Sequence, residues 1–186
     1  MFYERGEDGL PRKWISRMKA SMRTVSPMFS TTRMLKEYSD LLYTVAAERW
    51  QRLAENGFVA AKELSQWKRS LTKNWDKVAV EEVNANDAVE LPVGGRVSVR
   101  AKVHLGKVTP DDVSVELYHG RVDPYGELVE GLSQPMQCKE HMENGTYLFD
   151  GEIPCMRSGQ HGYAVRVMPK HADLVHRFDT GLIRWA

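Results

Sequence analysis

Residues 95–105 read GRVSVRAKVHL. Val97, Val99, Ala101, Val103 and Leu105 alternate with Ser98, Arg100, Lys102 and His104. Successive side chains of a strand point to opposite faces, so this period of two marks a strand with one buried and one wet face. Half-wet strands belong to antiparallel sheets. The stretch Leu91 to Gly95 before it is a turn, and Val78, Val80 and Val83 start a strand further upstream. Downstream, Thr109-Pro110-Asp111-Asp112 is turn chemistry, followed by alternation at Val113, Val115 and Leu117. Asp123-Pro124-Tyr125-Gly126 is a second turn. Residues 136–142 and 146–152 flank Asn144-Gly145, two residues that accept positive φ and so predict a hairpin. Tyr163, Val165 and Val167 alternate last, and Pro169 stops them. Short strands spaced by turns predict an antiparallel β-sandwich, immunoglobulin-like, over residues 77–186.

Upstream of Trp75 the period becomes helical. Pro11 suits the first position of a helix whose apolar stripe is Trp14, Ile15, Met18, Met22 and Val25. Pro27 predicts a break at Ser26-Pro27, and Ser30, Thr31 or Thr32 can cap the next helix. Met34, Leu35, Tyr38, Leu41, Leu42 and Val45 form its stripe, and Asn56-Gly57 offers a left-handed stop. A third helix from Val59 carries Leu64, Trp67, Leu71 and Trp75. The short connection predicts antiparallel packing against the second helix. The expected fold class is α+β: N-terminal antiparallel helices over residues 1–76, then the sandwich.

The chain has 186 residues, 42% of them hydrophobic and 27% charged, with a net charge of +1. That near-neutral balance excludes a global attraction to nucleic acid or to a membrane surface. No apolar run approaches the ~20 residues of a membrane span. The polar N-terminus lacks a signal-peptide core, so a cytoplasmic location is expected. Folding about Asn144-Gly145 sets Cys138 opposite a residue near Gly151 rather than Cys155, which predicts two free thiols.

Candidate chemistry is sparse. His104, His119, His141, His161, His171 and His176 do not share the close spacings of a metal site, and no Cys-x-x-Cys occurs. Gly94-Gly95 and residues 158–162 do not fit a phosphate loop. Arg12, Lys13, Arg17, Lys19, Arg23, Arg33 and Lys36 make the first helices basic, yet no aromatic stacking platform accompanies them, so nucleic acid is not expected as a partner.

Three stretches carry a resemblance. The run Phe2-Tyr3, Pro11 to Trp14, then Ser26 to Tyr38 (SPMFSTTRMLKEY) resembles the last helical segment of α-glucan (glycogen-type) phosphorylases. Residues 105–131 and the closing GYAVRVMPKHADLVHRFDTGLIRWA are similar to the tail of the atypical bacterial and archaeal branch of that family. The resemblance implies the C-terminal part of an enzyme that uses pyridoxal phosphate, held as a Schiff base to lysine. That enzyme phosphorolyses α-1,4-glucans to glucose 1-phosphate. The family's cofactor-lysine motif, of the Gly-Thr-Ser-Asn-Met-Lys type, is missing here, and no residue maps onto a family catalytic position. The expectation is therefore a chain with no catalytic, cofactor-binding or metal-binding residues of its own, inactive alone.

Its implied partner is the rest of the phosphorylase catalytic domain, against which the helices from Pro11 to Tyr43 would pack. The Trp14–Met18–Met22 stripe, without that neighbour, predicts a homo-oligomer. The second reading is a carbohydrate-binding or protein-docking sandwich, with α-glucan as ligand. Tyr118 and Tyr125 are its candidate sugar-stacking residues, while Tyr163 reads as core by its alternation.

Overall fold

The computed structural model describes residues 1–86 and 91–186. The chain is α+β and divides into two compact units, Met1–Ala61 and Lys62–Ala186. In the first, α1 (Arg12–Met28) is followed by α2 (Thr31–Tyr38), a π-helical turn (Ser39–Tyr43) and the opening of α3 (Thr44–Asn74). Pro11 sits one position before the first helical residue, and its carbonyl accepts the Ile15 N–H at 3.0 Å. The expected break at Ser26-Pro27 is displaced. The helix absorbs Pro27 in its last turn and ends at Met28, with the Phe29 N–H closing on the Val25 carbonyl. Pro27 lacks the N–H that would bond the Arg23 carbonyl and its ring crowds that turn, so the helix stops one residue later. Ser30 caps α2, its hydroxyl accepting the Arg33 N–H at 3.3 Å. Within α3 the backbone leaves helical geometry over Glu55–Phe58, where Asn56, Gly57 and Phe58 take positive φ. That is the left-handed stop expected from Asn56-Gly57, extended by one residue.

The second unit carries two four-stranded sheets. The first has the order β1 (Ala79–Ala85), β2 (Arg96–His104), β6 (Thr146–Pro154), β5 (Gln137–His141). The second runs β4 (Leu128–Pro135), β3 (Val113–Val122), β7 (His161–Pro169), β8 (Arg184–Trp185). All observed pairings are antiparallel. Val99, Ala101 and Val103 of one sheet and Val115, Leu117 and Val165 of the other belong to one hydrophobic core. The alternation of residues 97–105 is thus realised: Val99, Ala101, Val103 and Leu105 are fully buried, while Arg100 is exposed. In β1 the inward residues are Val80 and Val83, an odd spacing made possible by a bulge between Val80 and Glu82.

Leu71 and Trp75, on the last turns before the strands, join the same core. Trp67 donates its indole N–H to Asp112 at 2.6 Å. Asp112 also closes the turn before β3, accepting the Thr109 N–H at 3.1 Å and the Thr109 hydroxyl at 2.6 Å. Burial pushes the Asp112 carboxyl up, but the Thr109 and Trp67 hydrogen bonds and the nearby His171 outweigh it, so its pKa lies below the ordinary value. A depressed folded pKa stabilises above the unfolded pKa of about 3.9, and that contribution disappears as pH falls through the folded value. Asp112→Asn is therefore expected to lower Tm at pH 7, with the gap to wild type closing as the pH is taken from about 5 to about 2. A gap unchanged across that range contradicts the assignment.

The β5–β6 hairpin turns at Glu143–Gly145, with Asn144 at φ 60° and Gly145 at φ 75°. A Cβ on Gly145 would lie 2.5 Å from the Gly106 carbonyl oxygen, so glycine is required there for space as well as for φ. Cys138 pairs with Phe149 rather than with a residue near Gly151. Two causes add: Met142 rather than Glu143 closes the turn onto Thr146, and a bulge between Cys138 and Glu140 slips the ladder once more. Both cysteines are free thiols.

Candidate functional site

Strand β3 alternates between two environments. Val115 and Leu117 point into the core, so Ser114, Glu116 and Tyr118 occupy the opposite face. Register places Glu116 opposite Arg166 of β7 and Arg166 opposite Trp185 of β8. Glu116 and Arg166 are only 5% and 8% exposed. The Arg166 guanidinium donates to Glu116 Oε2 through Nε at 3.0 Å and through Nη2 at 2.9 Å, and to the Ser133 hydroxyl at 2.6 Å. Glu116 Oε1 accepts from the Ser114 hydroxyl and from Arg177, which lies on the segment after β7. Charge-assisted, doubled hydrogen bonds of this kind fix geometry as well as charge.

Tyr118 belongs to this cluster. The Arg166 guanidinium carbon lies 5.1 Å from its ring centroid and 5.3 Å from that of Trp185. The Trp185 and Tyr118 rings meet edge to face at 5.7 Å. Gly131 of β4 lies against the same tyrosine, since a Cβ there would come within 2.1 Å of the ring. Tyr118 is half-buried and its ring is packed. Tyr125 is 90% exposed at the β3–β4 turn, where Asp123 Oδ1 accepts the Tyr125 and Glu127 N–H groups at 2.8 and 2.9 Å. The structure does not bring Tyr118 and Tyr125 into contact: no aromatic pairing links them among the described residues.

Sequence reasoning missed Glu116, Arg166 and Trp185. Their only signal is that both charged residues flank core positions, Leu117 and Val165, which register makes opposite partners.

Several recesses open on the same unit. A cleft of about 480 Å³ lies beside β2 and β6, lined by charged groups including Arg100, Lys139, Asp150 and Glu152. A pocket of about 420 Å³ opens beside the ends of β1, β2, β3, β6 and β7, lined by Val97, Ile153, Pro154, His119, His161 and Tyr163 among others. Tyr163, expected to be core, is 38% exposed. Burial pushes the His119 imidazole below its ordinary pKa, and the neighbouring His161 adds to the shift. No group of three or more His, Cys, Asp or Glu is placed to hold a metal among the described residues.

The Met1–Ala61 unit presents the opposite character. None of its residues is buried. Trp14, Met18, Met22 and Val25 are exposed along α1, and Met34, Leu35, Tyr38, Leu41 and Leu42 from α2 onward. Trp14, Met18 and Met22 line a groove of about 680 Å³. Among the described residues no helix is long and apolar enough to cross a membrane.

Comparison with known proteins gives a consistent result. Residues 75–186 match the family described as "Glycogen phosphorylase C-terminal domain". The glycogen phosphorylase of Mycobacterium tuberculosis (strain CDC 1551 / Oshkosh) is 31% identical over 186 residues, covering all of this chain and 22% of that protein. The maltodextrin phosphorylase of Thermococcus litoralis is 34% identical over 183 residues, covering 93% of this chain and 20% of that protein. The glycogen phosphorylase of Aquifex aeolicus is 46% identical over 44 residues, 24% of this chain and 6% of that protein. The chain spans about a fifth of the length of the first two relatives.

Proposed function

Since this chain belongs to the glycogen phosphorylase family and matches its C-terminal part, we propose that it completes a cytoplasmic α-1,4-glucan phosphorylase and is inert alone. Such an enzyme phosphorolyses glycogen or maltodextrin to glucose 1-phosphate. The observation that carries the proposal is the helical unit with no buried residue and two exposed apolar stripes. Helices in water draw most of their stability from a packed amphipathic face. Fully burying a Met, Leu or Phe side chain is worth about 1.5–3 kcal/mol. Several such side chains along α1 and α2 are therefore a surface made to be covered. In this reading the catalytic remainder of the phosphorylase covers it, the helices up to Ala61 belong with that remainder, and the β-rich unit, whose core includes Leu71 and Trp75, is an accessory module.

The strand order supports an immunoglobulin-like sandwich for that module. The sequence 1-2-6-5 facing 4-3-7-8 follows the ABED and CFG sheets of that fold, with one further strand beside the third.

Pyridoxal phosphate would need a desolvated lysine for its imine. Among the described residues no lysine is buried. The described residues therefore do not fit the cofactor. Incubating the purified chain with pyridoxal phosphate, inorganic phosphate and glycogen is expected to release no glucose 1-phosphate. Release above the protein-free blank overturns the reading.

A second reading, glycan binding by the β-rich module, is favoured by the exposed Tyr125 ring and by the pocket beside Tyr163, which has no charged lining among the described residues. Of the two tyrosines expected to stack on sugar, Tyr125 has its ring free in solvent, while that of Tyr118 is packed by Arg166 and Trp185.

A further inference from the structure

We propose that the pocket bordered by Tyr163, His119 and His161 is an α-glucan subsite, in which Tyr163 is the platform for a pyranose ring and the two imidazoles take its hydroxyls. This deepens the glycan-binding reading above. The pocket, about 420 Å³, falls within the range of small-ligand sites, about 300–1,000 Å³. Val97, Ile153 and Pro154 give it an apolar floor. Among the described residues its lining contains no Lys, Arg, Asp or Glu, so a charged ligand finds no counter-charge from them.

A purely apolar ligand fits no better, because it would strand polar groups. His119, the register partner of Tyr163, faces the pocket, and its imidazole makes no hydrogen bond to a described residue. His161 contacts the Gly159 carbonyl only through Nδ1, at 3.1 Å, which leaves Nε2 for a ligand. Covering these nitrogens without replacing their water leaves them unsatisfied and opposes binding. What remains is a neutral ligand with a flat C–H face and a rim of hydroxyls. A glucosyl unit has both, and the relatives' names specify glycogen and maltodextrin. The charged cleft beside Asp150 lacks an aromatic platform and is the poorer candidate.

Titrating the isotopically labelled full chain with maltoheptaose, read by amide NMR, tests this. The expected result is saturable shifts concentrated at Ala85, Cys155 and Gly162. Binding is expected to weaken by about tenfold in Tyr163→Ala and to stay near wild type in Tyr163→Phe, which keeps the ring. Maltoheptaose should also slow alkylation of Cys155 and leave that of Cys138 unchanged, a readout that needs no variant. Absence of shifts, shifts centred elsewhere, or unprotected Cys155 overturns the proposal. None of these outcomes bears on whether the chain completes a phosphorylase, because that is read by glucose 1-phosphate release.

Discussion

Glu116→Ala is expected to destabilise the Lys62–Ala186 unit by about 3–5 kcal/mol, the range for breaking a buried ion pair from one side. The cost comes from what the substitution leaves behind. Arg166 would stay between Tyr118 and Trp185 with Ser133 as its remaining hydrogen-bond acceptor. Arg177 would lose its carboxylate partner too. An uncompensated guanidinium in a site 8% exposed cannot recover its hydration without opening the packing around it. The pair itself is worth far less than its half, because desolvation offsets much of the attraction. Replacing both residues, Glu116→Leu with Arg166→Met, is therefore expected to be far milder than Glu116→Ala alone. Urea unfolding monitored by circular dichroism distinguishes the two. A single-variant loss below about 1 kcal/mol would show the cluster to be solvated in solution.

The second large effect belongs to α1. Met18→Glu combined with Met22→Glu is expected to weaken assembly with the catalytic remainder by about a hundredfold or more. Two buried methionines are worth roughly 3–6 kcal/mol together, and each 1.4 kcal/mol is a factor of ten. Glutamate and methionine have similar helix propensities, so α1 itself survives the change. The same double variant should reduce self-association of the isolated chain, whose exposed stripe is the surface available for it. Assembly at wild-type strength would place the docking surface elsewhere.

How much of this was legible in the sequence depends on which physical signal each feature leaves. The strand at residues 96–104 declared itself because one face is dry and the other wet. Strand β4 did not, because Glu130 at positive φ, Gly131 and Pro135 interrupt any alternation, and edge strands tolerate such residues. Strand β8 has two residues and no period at all. The hairpin was readable from Asn144-Gly145, but its register was not, since a bulge carries no sequence signature. Tyr163 shows a different limit. Alternation correctly gave the side it faces, with Val165 and Val167, but not its depth: the core ends there and the ring stands at a rim. The Glu116–Arg166 pair was hidden because its partners are 50 residues apart and each, alone, looks like an outward-facing charge. Family membership was legible from the ordered run at residues 26–38 and from the closing segment, which sit in the two units respectively.

The measurement that bears most directly on the central claim is reconstitution. The catalytic remainder of the parent phosphorylase is expressed without this segment and titrated with the purified chain. Glucose 1-phosphate release from glycogen and inorganic phosphate is then followed. The expected result is little activity from either polypeptide alone and a saturable rise on mixing, lost in the Met18→Glu, Met22→Glu double variant. Full activity of the remainder without the chain, or no gain on mixing, would contradict the claim that these exposed helices complete the enzyme.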